Sequence, residues 1–246
     1  YTNVLFLYTI IRALSWMKIE ALMFFIALII VARIYTEMQR GNNLAATAKR
    51  LGFDFTSGLQ RMPAEWEALG FDLLLQGQSE IGNRMTGMRS GRAVEVFDYS
   101  FDATAAGEGF KKQPAIDDQV NIERRNQTVV RVQSAVVLPD FDISPASSHM
   151  RNVAQRFGFA PLMLQENRAF SQAYNVLVAD AVRCRALFIE SVQQFFMSHP
   201  DLVVEARGRD LLVYRFEKRL KAKDIEGFLQ EVDELVRLLE SMAGTT

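Results

Sequence analysis

Apolar residues dominate the N-terminal region of the chain, in Val4 to Leu7 and again in Ala21 to Ala32, ALMFFIALIIVA. The second stretch alone has the length of a core helix or a signal-peptide segment. Extended from Trp16 to Tyr35 it reaches about 30 Å at helical rise, the thickness of a hydrocarbon core. Lys18 and Glu20 at one end and Arg33 at the other stand where long side chains reach the headgroups, and Trp16 and Tyr35 take the interfacial positions. The pattern predicts a spanning helix over about residues 16–35, within an anchor of residues 1–40. A cleaved signal peptide is disfavoured because the small-residue run Ala45 to Ala48 lies too far beyond the apolar core. A buried helix of a soluble domain fits less well, since the surface is apolar all round. An interfacial helix stays open for Val4 to Leu14.

Beyond Gly41 the pattern changes to short alternating segments. Asn42 to Leu51 reads as a short helix continuing the anchor and stopped by Gly52, Phe53 to Phe55 as the start of a strand, and Pro63 to Leu69 as a helical turn ended by Gly70. Ala93 to Phe101, AVEVFDYSF, and Thr128 to Val137, TVVRVQSAVV, are rich in β-formers and are expected to pair antiparallel. The polar stretch Asp102 to Asn126 between them is a long loop. Phe141 to Ile143 adds a short edge strand. A seam at Ser144 to Ser148, SPASS, divides a strand-rich half, residues 41–143, from a helix-rich half, residues 144–246.

In the second half Asn175 to Val178 reads as a strand and Asp180 as the cap of one helix, in which Val182, Ala186, Ile189, Val192 and Phe196 repeat at helical spacing up to His199-Pro200. Leu202 to Ala206 and Leu211 to Phe216 form a hairpin across Gly208, and Asp224 to Met242 is an amphipathic closing helix. The expected fold class is α+β: one N-terminal transmembrane helix, then an antiparallel or mixed sheet with helices packed on one face. Arg50-Leu51-Gly52-Phe53 and Arg156-Phe157-Gly158-Phe159 echo each other, which leaves open a pair of similar α/β sub-units or merely a shared helix stop.

Composition narrows the function more than it names it. With 49% apolar residues and a formal net charge of -1 the chain folds and lacks the basic excess of a nucleic-acid binder. A single cysteine, Cys184, excludes an internal disulfide and any Cys-rich metal site, and two histidines leave little for imidazole chemistry. Ser147, Ser148 and His149 put hydroxyls beside an imidazole, but sequence neighbours rarely meet as nucleophile and base, and a loop or cap role is preferred. His199 stands at a helix end, where a cationic ring favours the carbonyls. Cys184 between Arg183 and Arg185 would be activated only if all three shared a surface, which adjacent helix positions do not. Asp117-Asp118, Asp140 with Asp142, and Asp98 with Asp102 lack the loop spacing of a cation site and read as solvated or capping. Gly107-Glu108-Gly109 is a turn rather than a phosphate loop. No metal or cofactor is expected.

FDYSF at Phe97 to Phe101, QTVV at Gln127 to Val130, LPDF at Leu138 to Phe141 and HPDLVVEARGRDLLVYR at His199 to Arg215 resemble a widespread group of bacterial membrane-anchored α+β proteins without an assigned function. The likeness covers most of residues 41–242. It implies a fold and carries over no catalytic residue. The chain departs from the group in a more polar loop at Asp102 to Asn126 and a longer stretch from Pro145 to Asn167.

Basic residues at or after the C-terminal end of the span, Arg33, Arg40, Lys49 and Arg50, outnumber Arg12 and Lys18, which precede or enter it, so the positive-inside bias modestly favours a cytoplasmic C-terminal domain at a bacterial inner membrane. The densest basic cluster, Arg207, Arg209, Arg215, Lys218, Arg219, Lys221 and Lys223, reads either as an anionic-lipid or partner surface or as the solvated face of a hairpin. Tyr8, Trp16, Met23, Phe24, Phe25 and Tyr35 are the candidate anchor contacts, with lipid or with helices of integral membrane subunits. The leading expectation is a non-catalytic accessory or scaffold subunit of a membrane assembly, a respiratory or photosynthetic complex for example. The alternative is a membrane-tethered sensor or enzyme with a pocket near the 102–126 loop.

Overall fold

The computed structural model describes residues 2–75, 79–102, 124–147 and 158–244, without the side chains of residues 2–20 and 102. Helix α1 runs over Thr2–Leu51. Tyr1–Asn43 form one compact unit and Leu44–Thr246 a second. In the first, every residue from 21 to 39 is exposed, and this part of α1 is long and apolar enough to cross a membrane. An exposed helix that is apolar all round is suited to lipid.

The second unit is a nine-stranded sheet with helices. Its strands are β1 (Asp54–Gln60), β2 (Ser79–Arg89), β3 (Arg92–Asp102), β4 (Arg124–Gln133), β5 (Phe141–Pro145), β6 (Ala160–Pro161), β7 (Tyr174–Val178), β8 (Leu202–Arg207) and β9 (Asp210–Arg215). Its helices are α2 (Ala64–Ala68), α3 (Arg168–Ala173), α4 (Ala181–Leu187), α5 (Glu190–Ser198) and α6 (Ile225–Ala243). The strand order is β1-β2-β3-β4-β9-β8-β5-β7-β6, with every ladder antiparallel. Two tight hairpins organise it. Ser90 and Gly91 both take positive φ between the paired Arg89 and Arg92, and Gly208 at φ 58° turns β8 into β9.

Both faces of the sheet are covered, which is why its central strands read as unbroken apolar runs. On one face Val94, Val96, Val130, Val132, Val204, Leu211 and Val213 meet Phe196, Leu235, Val236 and Leu239 of α5 and α6. On the other, Phe97, Tyr99, Val129, Val203, Leu212 and Tyr214 meet Trp66 of α2 and Phe71, Leu73 and Leu74 around a short 3₁₀ turn, Leu73–Leu75.

The α+β class and the pairing of β3 with β4 follow the sequence pattern; several details differ from it. The second strand of that pair covers Arg124–Gln133 rather than running on to Val137. Helices cover two faces, not one. The expected edge strand at Phe141 is interior, held between β8 and β7, because both its faces carry groups that need burial. The sheet takes strands from both sides of the seam at Ser144 to Ser148, of which Ser148 lies outside the described residues. The single helix expected after Asp180 is two. Asp180 does cap α4 by accepting from the Val182 and Arg183 amides, but Phe188 leaves helical geometry and α5 begins anew at Glu190. The break turns Cys184, Leu187, Phe188, Val192 and Phe196 inward, while Val182 is 81% exposed and Ile189 41%. Gly52 and Gly158 share a left-handed conformation, as the echoed motifs require; Arg156 and Phe157 lie outside the described residues.

Candidate functional site

Period-two alternation along β8, LVVEAR, sends Leu202, Val204 and Ala206 to the face covered by α5 and α6 and Val203, Glu205 and Arg207 to the face covered by α2 and the 3₁₀ turn. The same rule on the neighbouring strand β5 sends Asp142 to that second face. Three charged side chains thus meet under the segment that carries Phe71 and the 3₁₀ turn, and all are buried: Glu205 0% exposed, Asp142 4%, Arg207 8%. Asp72 of the covering segment is 1% exposed.

Arg207 and Asp142 form a bidentate pair, Nη1 to Oδ1 at 2.6 Å and Nη2 to Oδ2 at 2.9 Å. Arg207 also donates to the carbonyls of Gly70, Phe141 and Ala206 and lies over the rings of Phe71 and Phe159. Each of its three nitrogens donates and two rings lie near it, an arrangement for which a planar guanidinium is suited. Burial works against its charge, but the bonds to Asp142 and the surrounding carboxylates outweigh burial and leave its pKa raised. Burial holds Asp142 above the ordinary carboxylate value, with Arg207 pulling the other way.

Glu205 is placed differently. Its Oε1 accepts from Tyr214 Oη at 2.7 Å and from the Leu73 amide at 3.1 Å, with Oε2 3.3 Å from the same amide. Both donors are neutral. Burial, then the like charges of Asp142 and Asp72, push the carboxyl up to about 8, against the pull of Arg207 and the Tyr214 hydroxyl. Burial first, and then the nearby Glu205 charge, also raises Tyr214 well above its ordinary value. Tyr99, raised chiefly by burial, donates to the Leu73 carbonyl at 2.7 Å, so both backbone groups of Leu73 are held by side chains of the sheet. Chemically the cluster can store a proton and bind the covering segment. Closed as it stands, its Glu205 is fully shielded from solvent.

The basic cluster read from the sequence is not one surface. Arg207 is interior. Arg215 pairs with Glu231 at 2.6 Å and covers the Phe228 ring, and Arg219 pairs with Asp98 at 3.0 Å. Lys218 stands 3.7 Å from Asp201, and Arg209 donates to the Ala135 carbonyl at 2.7 Å. Lys221 and Lys223 are exposed. Alternation along β8 and β9 disperses what is contiguous in sequence. Asp98 and Asp142 are likewise structural partners rather than solvated, and Asp140 accepts from the Gly208 amide.

Of the anchor contacts, Met23, Phe24, Phe25 and Tyr35 are 60–67% exposed, while the side chains of Tyr8 and Trp16 lie outside the described residues. Cys184 is buried, its thiol pushed up to about 12 chiefly by desolvation, which disfavours the thiolate that a nucleophile needs. The His199 ring closes α5 with Nδ1 2.8 Å from the Phe195 carbonyl and stacks on the Phe195 ring. Ser147 is exposed. Ser148, His149, Gly107 to Gly109, Asp117, Asp118 and most of the proposed loop pocket lie outside the described residues, and the Asp102 side chain is not described. Among the described residues no cluster of His, Cys, Asp or Glu could hold a metal ion. Sequence reasoning did not single out Glu205. Its signal was a carboxylate at an inward position of a buried strand, two residues before Arg207 on the same face.

These features define an α+β protein with an antiparallel sheet buried on both sides and, among the described residues, an N-terminal helix long and apolar enough to cross a membrane. No protein-family model and no curated protein matches the sequence. Among solved structures the fold is similar to that of the mycobacterial trehalose monomycolate transport factor A, TtfA, with a TM-score of 0.53 over 82% of this chain and 93% of that one. The two are 15% identical, so the likeness is one of fold.

Proposed function

We propose that this chain is a single-pass accessory subunit of a bacterial inner-membrane assembly, non-catalytic, with its α+β domain on the cytoplasmic side. The observation that carries the reading is the exposed apolar helix from Ala21 onward, with Met23, Phe24 and Phe25 free to pack on lipid or on helices of integral membrane subunits. It is supported by the engagement of the described buried charges in the fold itself: Asp142 with Arg207, and Glu205 with Tyr214 and Leu73. The fold neighbour, a mycobacterial transport factor, agrees with an accessory role beside a membrane process. Mild detergent extraction of native membranes followed by non-denaturing size separation tests it. A stoichiometric complex with integral membrane proteins is the expected result; a lone monomer or homo-oligomer after gentle extraction overturns it.

A further inference from the structure

Glu205 is fully buried on β8, and it holds the covering segment as well as Tyr214 of the neighbouring strand β9. Its two bonded donors are the Leu73 amide, 3.1 Å away, and the Tyr214 hydroxyl, 2.7 Å away. The nearest cation, Arg207, is committed bidentately to Asp142. The titratable and charged groups around it, among the described residues, are Asp72 on the covering segment, Tyr99 on β3, Asp142 on β5, Arg207 on β8 and Tyr214 on β9; Asp140, before β5, acts on Asp142 and Arg207. A protonated carboxyl fits this setting, because it keeps both bonds and adds no charge. An ionised one places a second buried anion beside Asp142 with no cation of its own, which costs free energy that hydration would relieve. The segment that covers Glu205 is the one it fastens.

We infer that Glu205 is a proton-controlled latch: with its proton in place it fastens the segment Gly70–Leu75 to the sheet, and loss of that proton to solvent favours release of the segment. Release would uncover the Asp142–Arg207 pair, whose Nε donates to Gly70 in the closed form. This device is independent of the anchoring role. The direction follows from linkage. The closed site keeps its proton up to about pH 8, whereas a solvated glutamate loses it near 4.5. Between those values the open form binds fewer protons, so opening becomes about tenfold more favourable per pH unit and levels off above the window.

Amide hydrogen exchange on the full chain in detergent micelles, from pH 5 to 9 and corrected for intrinsic base catalysis, tests the latch. The expected result is protection at Leu73 and Leu74 that falls about tenfold per unit up to pH 8, while Val204 and Val213 in the sheet hold theirs. Glu205→Gln, which keeps an acceptor and cannot ionise, should flatten the Leu73 profile. A flat wild-type profile overturns the proposal, as does a slope that survives Glu205→Gln. Leu73 and Val204 falling in parallel also overturns it, since that marks global unfolding. If Glu205→Gln does not fold, Tyr214→Phe decides: it removes a donor that stabilises the ion, so the slope should persist with its upper end at higher pH, and loss of the slope refutes the latch.

Discussion

Removing the carboxylate of Asp142 while Arg207 stays in place isolates the energetics of the buried pair. The two side chains are 4% and 8% exposed and share two short bonds. Breaking such a pair from one side typically costs about 3–5 kcal/mol, because a charge is left in a dry site without its counter-ion. Here two features moderate the loss. Arg207 retains the Gly70, Phe141 and Ala206 carbonyls, and Glu205, relieved of the Asp142 charge, ionises more readily and becomes a substitute counter-ion. Asp142→Leu should therefore sit at the low end, about 3 kcal/mol less stable. The double variant Asp142→Leu/Arg207→Met removes both charges at similar volume and leaves chiefly the Gly70 carbonyl unpaired, a loss of about 1 kcal/mol. Urea unfolding of the full chain in micelles, followed by Trp66 fluorescence in a Trp16→Phe background, measures both. A single variant within about 1 kcal/mol of wild type would falsify the argument, as would a double variant no more stable than the single one.

Other expectations test separate parts of the molecule. Ile29→Arg places a charge in the middle of the apolar helix at an insertion cost of about 3 kcal/mol, and the fraction of protein resisting alkaline extraction from membranes should drop. Gly87→Val drives a side chain into the Phe53 ring and should destabilise by about 1–3 kcal/mol. Gly227→Ala, in an open position on α6, should stabilise by roughly 0.5–1 kcal/mol; thermal melts that rank these two in the opposite order refute the packing read from the sheet. Cys184 should resist iodoacetamide at neutral pH and react on denaturation, so rapid labelling of the folded chain would contradict its burial.

Local pattern was enough to find many elements. The apolar helix, the β-rich FDYSF and QTVV segments, the turn at Gly208, the Asp180 cap and the amphipathic α6 are each written within a dozen residues, where periodicity and turn chemistry act without long-range help. What covers a strand is decided elsewhere. Alternation tells which residues of β8 share a face, but only the insertion of β5 beside β8 brings Asp142 to Arg207, across a sequence separation no local signal reports. The same holds for the lost basic surface: residues adjacent in the hairpin point to opposite faces, and the acids that take them come from β3, β5 and α6. The helix after Asp180 breaks because Phe188 and Phe196 must both enter one core, with Gln193 bonding the Phe188 carbonyl freed at the break. Sequence determined the elements and their apolar faces, since those depend on neighbours a few residues away. Strand order, burial of Glu205 and its proton chemistry were left to the tertiary structure, because desolvation depends on everything packed around a group rather than on the group itself.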